Sequence, residues 1–124
     1  GEEDPKVFEQ GLKFFKIFLE KNPNDSHTAL GIGQMLLGKE RLAEALPFLE
    51  KASYDETNLL AIKDYADTLL QMDMKDKAIE YYYRRIELIE EQIDNGAIDP
   101  QYGDIKLKRA RADLDQLEKQ SDIN

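Results

Sequence analysis

A serine beside a histidine is the first pairing here that could do chemistry, because a hydroxyl becomes a nucleophile when an imidazole takes its proton. Ser26 and His27 are adjacent, and adjacent side chains on a helix do not face one another. No third group is identifiable to orient the imidazole. The pair therefore reads as a helix-capping serine beside a surface histidine. His27 is the sole histidine, and no Glu-x-x-His or His-x-x-x-His spacing gives it companions for a metal. Paired acids occur at Glu90-Glu91 and Asp113-x-Asp115, which on charge-rich helices read as a solvated face. The stretch from Asp94 to Asp104 holds acids and a glycine, but not the ligand order of a calcium loop. With no cysteine there is no disulfide framework, thiolate nucleophile or Cys-based metal site. The expectation is a chain with no catalysis, no metal and no cofactor.

Charge narrows the partners. Lysine and arginine number 17 against 26 acids, a net charge of −9, which disfavours general affinity for nucleic acid or anionic lipid and favours a basic or mixed protein partner. One basic run, KLKRAR from Lys106 to Arg111, stands against this trend. Asp113, Asp115 and Glu118 follow within one or two helical turns and can pair with it, so it reads as ordinary surface. Apolar runs are only a few residues long, far from the roughly 20 that cross a bilayer. The compartment stays open, cytoplasm and bacterial periplasm both being compatible.

Hydrophobic periodicity places six helices and no strand. Asp4-Pro5 opens the first, in which Phe8, Leu12, Phe15 and Leu19 fall at helical spacing up to Lys21. Asn24-Asp25-Ser26 offers capping oxygens to the second, which runs to about Leu37 with Gly38 as its left-handed stop. The third spans Glu40 to about Tyr54 and contains Pro47, expected to bend rather than break it. The fourth carries Leu59, Ile62, Tyr65, Ala66, Leu69 and Leu70 and stops near Met72. Asp73 is expected to cap a long fifth helix bearing Ala78, Ile79, Tyr82, Ile86, Ile89 and Ile93 and ending at Asn95-Gly96. In the Tyr81-Tyr82-Tyr83 triplet, Tyr82 takes the core site and one neighbour is expected under the sixth helix. Asp99-Pro100 opens that helix, with Leu107, Ala110, Leu114 and Leu117 on a narrow stripe and fraying after Gln120.

One pattern occurs three times: GLKFFKIF from Gly11, ALPFLEKA from Ala45 and AIEYYYRR from Ala78. Upstream of the last two copies, GIGQMLLG and DYADTLLQ correspond, with Gly33 matching Ala66 and Leu36 matching Leu69. The near-constant step from Gly11 to Ala45 to Ala78, with two matched blocks in each period, implies stacked helical hairpins. The chain resembles the tetratricopeptide repeat (TPR) family. Gly33 and Ala66 match the small position of that family's first helix, and Gly11, Ala45 and Ala78 that of its second. Phe15, Leu49 and Tyr82 match its aromatic position, Pro23 its proline and Ala52 its later small position. Small residues there let helices cross closely; Gly31, beside Gly33, has no such explanation. The resemblance implies an all-α fold, a right-handed α-solenoid of antiparallel hairpins in one domain. It comprises a half repeat at residues 5–22, repeats at 26–58 and 59–95, and a capping helix at 100–120. Arg85 departs from the pattern by standing where a small residue is expected.

What the resemblance implies for function is a non-catalytic scaffold that binds a protein or peptide on the concave face lined by first helices. Carried over, the binding residues are His27, Leu30, Gln34, Leu60, Lys63, Asp67 and Gln71, with Leu37, Gly38 and Leu70 beside them. The lysine and asparagine cluster with which some members hold a terminal carboxylate is missing, since Leu30 and Gln34 stand in its place. Two alternatives remain: a purely structural segment of a larger repeat protein or assembly, and an RNA-binding helical-repeat protein, which the acidic charge disfavours. Helix one matches the second helix of a repeat, and the chain begins with Gly1. The expectation is a fragment of a longer protein in which upstream residues cover helix one. Four phenylalanines on that helix exceed what the second helix can cover, so self-association through it is expected of the isolated chain.

Overall fold

The computed structural model describes residues 4–123, with side chains described through residue 120. Among them are six helices in chain order: α1 (Pro5–Lys21), α2 (Ser26–Gly38), α3 (Leu42–Ser53), α4 (Leu59–Gln71), α5 (Lys75–Asp94) and α6 (Pro100–Ile123). Among the described residues none lies in a strand, and no helix formed by them is long and apolar enough to cross a membrane. Two compact units divide the chain between Ala61 and Ile62, inside α4.

In the first unit, Asp4 caps α1 by accepting from the Lys6 N–H at 2.9 Å, and Phe8, Leu12 and Leu19 turn inward. Asp25, not Ser26, caps α2, accepting from the Thr28 N–H at 3.0 Å. Ser26 is instead buried and donates to Asp55 Oδ2 at 2.7 Å, tying the start of α2 to the turn after α3. α2 and α3 cross closely where expected: a Cβ added at Gly33 would lie 2.5 Å from Leu49 Cδ2 and 2.8 Å from its Cγ. Gly11 is not comparably tight, since a Cβ there would approach only Met35 Cε, at 3.9 Å. α3 starts at Leu42 rather than Glu40 and continues past Pro47 to Ser53.

The stop of α2 differs from the sequence expectation. Gly38 is its last helical residue, and Glu40 takes the left-handed conformation at φ 59°. The Arg41 N–H bonds Leu36 O at 3.0 Å and the Glu40 N–H bonds Leu37 O at 2.9 Å, the paired bonds of a Schellman stop. The second unit makes the same stop. Asp73 sits at φ 60°, the Met74 N–H bonds Leu69 O at 2.9 Å and the Asp73 N–H bonds Leu70 O at 3.2 Å. Asp73 thus ends α4 and does not cap α5, whose N-cap is Met74 without a side-chain bond. Two satisfied carbonyls offset the roughly 1–2 kcal/mol that a left-handed non-glycine residue costs.

α4 begins as α2 does. Asn58 Oδ1 accepts from the Ala61 N–H at 3.2 Å, as Asp25 does from Thr28. The two helices are equally long, and cap and stop recur at one offset, from Asp25 to Asn58 and from Glu40 to Asp73, the offset that also separates Gly33 from the buried Ala66. In the second unit Tyr65 of α4 meets Tyr81 of α5 edge to face, centroids 4.8 Å apart. Gly96, at φ 81°, ends α5 as its sequence suggests. Asp99 caps α6 by accepting from the Gln101 and Tyr102 N–H groups, each at 3.1 Å. α6 continues to Ile123 and lays Leu107, Ala110 and Leu114 into the interior. It approaches α5 closely at Gly103, where a Cβ would lie 2.5 Å from Ile93 Cδ1 and closer still to its Cγ1.

Candidate functional site

Register between the two units shows where the second departs from close packing. Leu30, Leu49 and Ala52 are buried in the first unit. At the offset that carries Gly33 to Ala66, their equivalents are Lys63, Tyr82 and Arg85, and Gln34 corresponds to Asp67. These four polar residues line an open cleft of about 260 Å³ with Leu70. α6 supplies the remaining wall through Ala110, Asp113, Gln116, Leu117 and Gln120. The cleft lies wholly within the second unit and holds two positive and two negative side chains.

Its hydrogen bonds centre on Asp67. Lys63 Nζ stands 2.8 Å from Asp67 Oδ2, one helical turn away, and the Tyr82 hydroxyl donates to the other carboxylate oxygen. Burial, then that bond to Asp67, pushes the Tyr82 phenol well above its ordinary range, so its proton stays in place and it cannot act as a base near neutral pH. Arg85 is half-buried. Desolvation pulls its pKa down, against the opposing pull of Asp67 and Asp113. Its Nε is buried and makes no hydrogen bond, a donor whose desolvation is uncompensated within the protein. The arrangement offers donors from Lys63 and Arg85, acceptors from Asp67 and Asp113, and the amides of Gln116 and Gln120. Such groups can hydrogen-bond a ligand that carries both donors and acceptors. Among the described residues no cluster of three His, Asp or Glu is placed to hold a metal ion.

The expected binding residues fall on both units. Lys63 and Asp67 enter the cleft, while Gln71, next to Leu70, is exposed and does not line it. Leu60 is exposed and Leu30 is buried in the core. His27 is exposed and, with Phe15, Asp25, Thr28, Gly31 and Met35, lines a separate apolar cleft of about 410 Å³ in the first unit. Gln34 is exposed. Asp113, Gln116 and Gln120 were not among the expected residues, and Asp113 read as solvated surface. Their spacing of three and then four positions on one face of α6 was the available signal. Tyr83, exposed, meets α6 through its hydroxyl, which donates to Glu118 at 2.5 Å. No protein-family model matches this chain, and no curated protein matches it.

Proposed function

We propose that this chain is a non-catalytic scaffold module that binds a protein or peptide segment through TPR-like repeats stacked as an α-solenoid. The observation that carries the reading is the cleft itself. At four positions equivalent to packed or neutral residues of the first unit, the second unit places Lys63, Asp67, Tyr82 and Arg85, and leaves space before them. Polar groups there destabilise a core unless something hydrogen-bonds them, and a peptide supplies both donors and acceptors. The recurrence of cap and stop at a single offset supports the repeat half of the reading.

Selection from a random peptide display library, followed by calorimetry on the winners, tests it. Lys63→Glu and Arg85→Gln are expected to weaken the selected peptides, while Gln71→Glu, outside the cleft, leaves them unchanged. Thermal midpoints should move little for Lys63, a partly exposed residue. No enrichment, or winners indifferent to both cleft substitutions, would sink the proposal.

A further inference from the structure

α1 carries a second apolar face that its own unit does not use. Phe8 and Leu12 are buried, whereas Val7, Phe14 and Phe18 remain 56, 63 and 41 % exposed. Helical geometry sets Val7, Gly11, Phe14 and Phe18 on one stripe, with the alternating four- and three-residue steps of a coiled-coil seam. The same steps lead to Lys21 at one end and, at the other, to the N-cap Asp4, whose Oδ1 also accepts from the Lys6 N–H.

The order of side chains along this stripe is self-complementary. Set two α1 helices antiparallel about a two-fold axis beside Leu12 and Lys13. Gly11 of each copy then faces Phe14 of the other, Val7 faces Phe18, and Asp4 faces Lys21. Small meets large in the middle layers and acid meets base at both ends, each pairing occurring twice, as a two-fold interface requires. Gly11 gains a reason it otherwise lacks. Interior glycine destabilises a helix relative to alanine, and a Cβ at Gly11 would meet only the far end of Met35 at 3.9 Å. Opposite a phenylalanine ring of a second copy, the missing side chain is the space the ring enters.

We infer that the occupant of this face is a second copy of the chain, paired antiparallel through α1 in the Gly11–Phe14 register. The inference stands apart from the peptide cleft, which lies in the other unit. Sedimentation velocity of the full chain from micromolar to millimolar concentration is expected to show a monomer–dimer equilibrium. Phe14→Glu should leave a monomer with an unchanged far-ultraviolet circular dichroism spectrum. Lys21→Glu should weaken dimerisation about tenfold, because it sets acid against Asp4 at both ends of the seam. Lys13→Glu makes the same charge change off the stripe and should have little effect. Gly11→Leu should block pairing, and adding Phe14→Ala should restore it by exchanging the large and small positions. A monomer throughout the range would overturn the inference, including one whose α1 binds an apolar dye and so serves another occupant. A dimer that treats Lys21→Glu and Lys13→Glu alike would overturn it equally.

Discussion

Two glycines two positions apart in α2 make a matched experiment. Replacing Gly31 by alanine adds a methyl that meets nothing within 4 Å, so the expected change is the helix-propensity gain alone, about 1 kcal/mol. The same replacement at Gly33 brings that gain and a collision, with Leu49 Cδ2 at 2.5 Å and Cγ at 2.8 Å. Leu49 is fully buried and cannot swing into solvent, so relief requires neighbouring side chains or the backbone to move. Overpacking of this kind costs about 1–3 kcal/mol, which offsets or exceeds the propensity gain. Gly33→Ala is therefore expected to range from neutral to about 2 kcal/mol destabilising. In urea, with the usual slope for a small protein, the two midpoints should differ by about 1 M, with slopes unchanged. On a Leu49→Ala background the collision is gone, and Gly33→Ala should recover its gain of about 1 kcal/mol. A Gly33→Ala midpoint as high as that of Gly31→Ala would refute the close crossing of α2 on α3, and with it the repeat register.

Three further outcomes follow from single contacts. Gly103→Ala, whose Cβ would lie 2.5 Å from Ile93 Cδ1 and closer to its Cγ1, should lower the thermal midpoint; Ile93→Ala should remove that penalty, and simple additivity would count against the contact. Tyr82→Phe strips the hydroxyl that Asp67 accepts and should cost about 1 kcal/mol. Tyr83→Phe, at the exposed bond to Glu118, should be nearly neutral in the same chemical denaturation, and equal losses would contradict the difference in burial. Asp55 lies below its ordinary value of 3.8 because the Ser26 hydroxyl, then Thr57, bond the charged form. A depressed folded pKa means that its contribution is present above the unfolded value and lost as pH falls through the folded one. Asp55→Asn should therefore flatten the acid limb of the stability profile below about pH 4, and an unchanged limb would remove Asp55 from that role.

What the sequence made legible was punctuation. Asp4-Pro5, Asp99-Pro100 and Gly96 each mark a helix end by chemistry that acts within a few residues, and each stands where the pattern places it. The stops at Glu40 and Asp73 were not legible, because glutamate does not favour a positive φ and aspartate, which tolerates one, reads equally well as an N-cap. What holds them there is a pair of backbone bonds, which leaves no residue signature. Gly103 could have been found: it lies one turn before Leu107 on the apolar stripe of α6, in the manner of Gly33. Half of the cleft was within reach, since the TPR resemblance nominates Lys63 and Asp67 and Arg85 departs from its pattern. The α6 half had only the spacing of Asp113, Gln116 and Gln120 to mark it, because the matched blocks of sequence do not extend to that helix. Asp113 and Asp115 look alike in the sequence, and only the packing of α6 on α5 decides that Asp113 lines the cleft.

The contrast between the units separates a polar residue that merely sits on a surface from one placed at cost. Ala52 is fully buried, whereas Arg85, at the same sequence offset that carries Gly33 to Ala66, is a half-buried cation. Arg85 stands at an open cleft of about 260 Å³, where Asp67 and Asp113 oppose its desolvation. Neither carboxylate satisfies Nε, which makes no hydrogen bond. An alanine would cost nothing of this kind, and the first unit demonstrates that the fold accepts one. A chain whose local choices otherwise agree with its architecture tends to break its own rule where the broken rule is used. That is the physical reason why the proposed binding role centres on Arg85 and its neighbours Lys63, Asp67 and Tyr82, rather than on every residue that the TPR resemblance nominates.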